Sequence, residues 1–357
     1  MYKKIKIENF RGITGLEIKD PRRFNLFVGK NNCGKTSLLE GIFLLTGPAN
    51  VDLPVTINSF RGYRLVSDYS WTLIFNKLDI QAPIRLQGEV IKPKEKRLLT
   101  ITPLGESDVL RANNGGSSRF TVKESRTVRS GRINGLSMEY SIRKGGTEKG
   151  RTFISEIRWT GEKFERNFSE AYTDTLKGVF INPRTIMEDT AERFTEVQIK
   201  KQEKTILKIL QRVEPELADL SIGAENILYC DIGFTRRLPI NVVGEGLNKL
   251  LSIILAIYDA SGGIVLIDEI ENGLHYSAQE VLWEAVFEAA MAFNVQVFAT
   301  THSFENVKAY SDTYDRFNDG KDNLRLFRIE KKMDRLDLID LNHEMLKSSL
   351  ESEWEVR

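Results

Sequence analysis

The chain has 357 residues, with 51 Lys and Arg against 50 Asp and Glu, and a formal net charge of +1 at pH 7. That length suits one large or two modest domains, and so even a balance excludes a molecule that holds polyanions by bulk charge alone. Two cysteines, Cys33 and Cys230, are too few for a disulfide framework, and no run of 18 apolar residues offers a membrane span. Residues 1–7 alternate charged and apolar side chains, as a strand does and a signal peptide does not. The expectation is a cytoplasmic protein with no membrane partner.

In chain order, Lys4–Ile7, Leu16–Ile18 and Phe24–Val28 read as strands. The third runs into Gly29-Lys30-Asn31-Asn32-Cys33-Gly34-Lys35-Thr36, a complete GxxxxGK[ST] phosphate loop. Ser37–Leu45 continues as an apolar-periodic helix that stops near Gly47-Pro48. Glycines let backbone wrap a phosphate closely, and the loop's N–H groups then point at the anion. Gly29, Asn31, Asn32, Cys33, Gly34 and Ser37 are accordingly read as nucleotide-binding. Lys35 is expected at the β- and γ-phosphates, and the Thr36 hydroxyl at Mg²⁺. Cys33 is expected to be a small packed group, not a nucleophile.

Residues 48–82 are mixed, with a short helix expected around Trp71–Lys77. Then Ile84–Ile91, Leu98–Pro103, Arg119–Lys123, Leu136–Ile142, Thr152–Thr160 and Lys163–Phe168 read as strands. Turns such as Asn113-Asn114-Gly115-Gly116 and Gly145-Gly146 separate them, which predicts an antiparallel meander over 84–170. Residues 91–165 carry a net charge of +7, leaving −6 for the rest. This asymmetry fits a DNA face or a dock for an acidic partner, with Arg126, Arg129 and Arg132 as candidate contacts, and equally fits a solvated sheet face. Val179–Ile181 is another short strand. Residues 186–222 hold polar helices, expected as a projecting arm or a lid. Ile227–Cys230 and Leu238–Val243 read as strands, Glu245–Tyr258 as a helix, Gly263–Ile267 as a buried strand, Ala278–Ala292 as a helix and Val295–Thr300 as a buried strand. The chain closes with strands Leu324–Lys331 and Arg335–Leu341 and a helix from about Glu344. Alternating strand and helix after 240 indicates an α/β core.

Four further elements accompany the phosphate loop. Ile264–Ile267 delivers Asp268 and Glu269 to the carboxyl edge of a sheet, where open α/β sheets bind ligands. Asp268 is read as the Mg²⁺ partner opposite Thr36, and Glu269 as the group that polarises the attacking water. His302 ends the Val295–Thr300 strand in Ala-Thr-Thr-His-Ser and is read as a γ-phosphate sensor. Gly244, Glu245 and Gly246 open an apolar helix, where unsatisfied N–H groups form a second anion site. Arg11, in Asn-Phe-Arg-Gly-Ile, is placed to reach nucleotide or else faces solvent in a turn.

These motifs in this order resemble the ABC-type ATPase heads of the RecF, SMC and OLD group, most closely the stand-alone OLD-like AAA15/AAA21 ATPases. The resemblance implies an ABC-type P-loop head of mixed sheet with an N-terminal antiparallel lobe. Residues 1–83 would be the lobe carrying the phosphate loop, 84–170 the basic meander, 186–222 the arm, and 223–357 the lobe with signature, Walker B and His switch. It implies ATP and Mg²⁺ as ligands and a homodimer that sandwiches two ATP. Gly244–Gly246 of one copy would meet the γ-phosphate held by Lys35 of the other, and Asn272, Gly273 and His275 would cross the interface. It also implies a slow ATPase that switches a separate effector, a nuclease or toxin, in anti-phage defence or plasmid maintenance. The sequence departs from transporter heads at Gly244, where those carry Ser, and Gln87 is its one candidate for their Q-loop glutamine. Only 55 residues follow His302, too few for the nuclease domain of OLD proteins, so no intrinsic nuclease is expected. Two other readings stay open: a RecF-like ATP-dependent DNA clamp, and a scaffold whose nucleotide is structural.

Overall fold

The computed structural model describes residues 1–105, 132–145, 150–168, 174, 176–184, 189–317, 320–332 and 335–352. The expected strand Arg119–Lys123, the 113–116 turn, Gly146, Arg126 and Arg129 lie outside these residues.

In chain order the elements begin with β1 (Tyr2–Phe10), β2 (Ile13–Lys19), β3 (Phe24–Val28), α1 (Lys35–Thr46), α2 (Leu53–Phe60) and α3 (Asp68–Thr72). Five strands follow: β4 (Ile84–Val90), β5 (Glu95–Gly105), β6 (Ile133–Lys144), β7 (Arg151–Trp159) and β8 (Phe164–Phe168). Next come β9 (Gly178–Ile181), α4 (Thr190–Ile199), α5 (Glu203–Leu210), β10 (Asp219–Ile222), β11 (Leu228–Asp231), β12 (Leu238–Pro239) and α6 (Ile240–Val243). The remainder is α7 (Glu245–Asp259), β13 (Ile264–Ile267), α8 (Gln279–Ala292), β14 (Gln296–Thr300), α9 (Phe304–Phe317), β15 (Leu324–Lys332), β16 (Arg335–Leu341) and α10 (His343–Glu351).

Two large sheets carry the architecture. A seven-stranded sheet has the order β2-β1-β4-β5-β6-β7-β8, every pair antiparallel. A six-stranded sheet has the order β16-β15-β3-β14-β13-β9, parallel except for the edge strand β16. β3, β13 and β14 are buried along their whole length, as parallel strands covered on both faces must be. One cover is α1. Its Leu38, Leu39, Ile42 and Leu45 pack with Ile5, Ile7, Leu86 and Leu99 of the antiparallel sheet and with Leu266 and Phe298 of the parallel one. Gly41 permits this close approach, since a Cβ there would sit 2.8 Å from Ile7 Cδ1. The other face packs Leu26, Val265, Ile267 and Val297 against α4, α5, α7, α8 and α9. Truncating one such fully buried leucine to alanine costs about 2–5 kcal/mol.

Several expectations are corrected by this topology. The boundary at 83/84 separates no unit: β4 pairs with β1, so the meander extends the N-terminal sheet, while β3 and its phosphate loop belong to the parallel sheet. Of the arm or lid expected over 186–222, the described residues from 189 on form no projecting arm. Phe194, Val197, Ile206, Ile209 and Leu210 are buried in the helical core, which turns α4 and α5 into a cover over α7 and α8. Leu238–Val243 is not one strand. Pro239 fixes φ near −56° and cannot donate to a ladder, so β12 stops there and Ile240–Val243 turns helically. Elements α2 and α9 were missed, and α9 has its signal in Phe304, Val307, Tyr310, Tyr314 and Phe317 at helical spacing.

Candidate nucleotide-binding site

Every strand of the parallel sheet that carries a motif ends at the same edge. β3 lies between β14 and β15, and its carboxyl end leads into the phosphate loop. The loop's conformation explains its glycines. Gly34 has φ +98° and Gly29 φ +148°, and a Cβ on Gly29 would stand 2.6 Å from the Ile329 carbonyl oxygen. Asn32 also takes a left-handed φ of +61°, which Asn tolerates better than most residues. Lys35 Nζ donates to the carbonyls of Gly29 at 2.6 Å and Lys30 at 3.1 Å, so the ammonium lies folded over the loop. Cys33 is buried and free, consistent with a packing role.

Asp268 stands at the end of β13, its N–H donating to Ile181 of β9 at 2.9 Å. Thr36 Oγ1 donates to Asp268 Oδ2 at 2.8 Å, and Thr300 Oγ1 donates to Asp268 Oδ1 at 2.7 Å. The expected Mg²⁺ pair, Thr36 and Asp268, is thus brought together from positions 232 residues apart. Hard oxygen donors in contact at the root of a phosphate loop fit a divalent cation, which Thr36 and Asp268 would hold.

The Glu269 N–H donates to Thr300 Oγ1 at 2.8 Å, and Ile270 N–H to the Thr300 carbonyl at 3.0 Å. Glu269 takes φ +48°, an uncommon backbone state for a glutamate. Two hydrogen bonds from the end of β14 hold it, the situation in which local strain persists at functional sites. Thr300 therefore fixes both acids, a role that sequence reading missed because it saw Thr300 only as a strand end.

Glu271 was also missed. Its Oε1 accepts from the His302 N–H at 2.8 Å and lies 2.9 Å from His302 Nδ1. Glu271 is buried while the His302 ring is about half exposed, so the carboxylate sets the ring's direction from beneath. The adjacent Thr301 N–H donates to the Phe27 carbonyl at 3.0 Å, which ties the segment bearing His302 to the strand that leads into the phosphate loop.

Gly244, Glu245 and Gly246 start α7 on the far side of the loop that follows Asp268. A Cβ on Gly246 would lie 3.4 Å from Leu274, and Glu245 Oε1 lies 3.9 Å from where a Gly273 side chain would begin. Gly244 has open space around it. Asn272, Gly273 and His275 are exposed in the same loop. One turn further into α7, Lys249 is buried beside Glu271, Glu245 and Glu269. Burial pulls its ammonium down to about 8 against the pull of those three carboxylates. A lysine inside an apolar helix pattern was legible as an anomaly, but nothing in the sequence named its acidic neighbours.

Arg11, expected at nucleotide or in a solvent-facing turn, is instead buried against α1. Its Nε lies 2.7 Å from Glu40 Oε2 of α1, its side chain is 8% exposed, and burial lowers its pKa to about 10. The cation near the loop is Arg61, which holds both oxygens of Glu40 at 2.7 and 2.9 Å and donates to Ser37 Oγ at 3.1 Å. Arg61 is a third exposed and feels the charge of Asp268. Gln87 sits mid-strand in β4 on the face opposite Leu86 and Gly88, which line α1, so it cannot serve the phosphate loop. Of the basic meander, Arg97 is internal, fully buried between Glu95 at 3.0 Å and Asp174 at 2.9 Å. Arg132 lies 3.7 Å from Asp68. Among the described residues, no helix is long and apolar enough to cross a membrane.

Comparison with known proteins agrees with this geometry. Residues 24–307 match the AAA_21 family, described as "AAA domain, putative AbiEii toxin, Type IV TA system". A Helicobacter pylori protein named ATP/GTP phosphatase is 22% identical over 86% of this chain and 87% of its own length. The DNA replication and repair protein RecF of Geobacter metallireducens is 43% identical, over only 19% of this chain and 16% of RecF. Among solved structures, an Smc head bound to the C-terminal winged-helix domain of ScpA superposes with TM-score 0.50 at 11% identity, covering 98% of this chain and 99% of that one. A second Smc head, bound to the C-terminal domain of ScpA derived from Pyrococcus furiosus, gives TM-score 0.50 at 9% identity over 99% of both chains. The fold is that of an ABC-type ATPase head, and the chain belongs to the AAA_21 family.

Proposed function

We propose that this chain is an ATP-hydrolysing head that closes on a second copy around two ATP molecules and reopens after slow hydrolysis. The observation that carries the reading is the chain of contacts Thr36–Asp268–Thr300–Glu269, which joins the phosphate loop to both acids. In this account the loop N–H groups and Lys35 hold the β- and γ-phosphates, and Arg61 adds positive charge beside Ser37. Mg²⁺ held by Thr36 and Asp268 would neutralise developing phosphate charge. Glu269 orients the water and takes its proton. His302, steered by Glu271, donates toward the γ-phosphate. Gly244–Gly246 supply backbone N–H groups to the partner's nucleotide.

The closed pair acts as a nucleotide switch for a separate effector, a nuclease or toxin, in anti-phage defence or plasmid maintenance. The family description, which names a toxin and a toxin–antitoxin system, supports that setting, as does the motif resemblance to stand-alone OLD-like ATPases. A switch that consumes ATP works in the cytoplasm. The short RecF similarity favours one second reading, an ATP-dependent DNA clamp using the basic meander. That reading predicts DNA binding that falls steeply with salt, and its failure to appear with Glu269→Gln and ATP removes it. For the main reading, phosphate release should be present in the wild type and lost in Lys35→Ala. Equal release from both would defeat it.

A further inference from the structure

Two partly exposed apolar features border the carboxyl edge of the parallel sheet. The first is a lip, residues 61–69. Tyr63 is 51% exposed, Val66 43% and Tyr69 64%. The lip is fixed beside the phosphate loop, because Arg61 bonds Glu40 and Ser37 of α1, and Arg184, just beyond β9, donates to the Phe60 carbonyl at 3.4 Å. The second is a pocket of about 240 Å³ beside the signature glycines. Val213, Val243, Leu247, Leu250, Leu274 and Val281 line most of it, with Glu214 at its rim. Val242, 69% exposed, and Tyr276, 68% exposed, flank the lining residues Val243 and Ala278 in sequence.

The charges around the two features are opposite. The lip carries Arg61 and Arg64 against one acid, Asp68, with Arg184 beside it, while Glu214 lines the pocket and Glu245 sits between its lining glycines Gly244 and Gly246 in sequence. A surface with an apolar plug ringed by arginine at one end, and an apolar socket rimmed by glutamate at the other, is complementary to itself under a two-fold axis. In such a pairing residue i meets j while j meets i, so two lips fill two pockets. Tyr with Arg is also the composition that dominates the buried centre of protein interfaces.

We infer that the pocket beside Gly244–Gly246 receives Tyr63 and the rest of the 61–69 lip from a second copy of this chain. The inference rests on the ATP-closed pair proposed above and adds the contact that locks it. The lip is tied through Arg61 to Ser37 and Glu40 at the start of α1. The element that enters the other copy is thereby held against the helix that follows the phosphate loop.

The test uses full-length Glu269→Gln protein, with Tyr63→Cys and Ala278→Cys added together and a short bis-maleimide as probe. The native Cys33 and Cys230 are buried, and Glu269→Gln alone controls for them. A second protein, Glu269→Gln with Val281→Trp, fills the socket. The expected results are an inter-chain cross-link with Mg-ATP and none with ADP, and a dimer weakened roughly tenfold or more by Val281→Trp, as the loss of one apolar plug per site implies. Nucleotide binding by each Val281→Trp copy stays unchanged. A dimer that forms with ATP yet neither cross-links nor weakens overturns the inference and leaves the ATP-closed pair standing. A monomer in all conditions overturns both.

Discussion

Thr300→Val isolates the two hydrogen bonds that place both acids. Valine keeps the shape of threonine and removes only the hydroxyl, and residue 300 is fully buried, so no solvent replaces it. The change deletes the bond to Asp268 Oδ1 at 2.7 Å and the bond from the Glu269 N–H at 2.8 Å. A bond to an ionised carboxylate contributes about 1.5–3 kcal/mol and a neutral one about 0.5–1.5 kcal/mol, so roughly 2–4 kcal/mol is at stake. Part of this lowers stability. The part that frees Glu269 from φ +48° appears in turnover, where each 1.4 kcal/mol is about tenfold. Steady-state phosphate release should therefore show kcat reduced about 10- to 100-fold, with ATP affinity within about threefold because the phosphate loop is untouched. Scanning fluorimetry should show Tm lowered by a few degrees. A kcat within twofold of wild type, with the Tm drop present, would refute the claim that Thr300 positions Glu269.

Four further outcomes follow from the same geometry. Glu271→Ala removes the anchor of His302 and should lower kcat as far as His302→Ala does; a double variant no worse than either single one, in the same phosphate-release assay, marks the pair as one unit. Arg11→Met leaves buried Glu40 its two bonds from Arg61 and should cost about 1.5–3 kcal/mol in urea unfolding, with ATP affinity kept. Arg61→Met removes both of those bonds and the bond to Ser37, and should cost about 3–5 kcal/mol and weaken fluorescent-ATP binding about tenfold. For Lys249 the folded pKa lies near 8, below the usual lysine value, so the folded state binds this proton less readily than the unfolded chain. The ammonium's burial cost is in full force below pH 8 and fades as pH rises toward 10.5. Lys249→Met should therefore be most favourable to stability near pH 7, by up to about 3 kcal/mol, and lose that advantage by pH 10. A pH-independent difference in Tm would contradict this.

The motifs were legible because each is local. A phosphate loop, a buried strand ending in two acids and a histidine at a strand end declare themselves within eight residues, and the structure gathers them at one sheet edge. The buried strands were legible for the same reason, as continuous apolar runs. What the sequence hid is what depends on distant pairing. Nothing local says that β4 joins β1, so the meander read as a unit of its own. Arg11 and Arg61 look alike in sequence and in the fold share one carboxylate, Glu40; only the packing around them buries the first and leaves the second at the loop beside Ser37. Thr300 and Glu271 act through neighbours about 31 residues away and carry no motif of their own. At Leu238–Val243 three β-branched residues argued for a strand, and Pro239 with the packing of Ile240 overrode them.

The central claim is a pair of heads closed by ATP. Its most direct test is the solution mass of Glu269→Gln, by light scattering on a sizing column, with Mg-ATP and with Mg-ADP. The account predicts twice the monomer mass with ATP, the monomer with ADP, and no ATP response when Lys35→Ala is added. A protein that remains monomeric at saturating ATP, with nucleotide binding verified in the same sample, would contradict it.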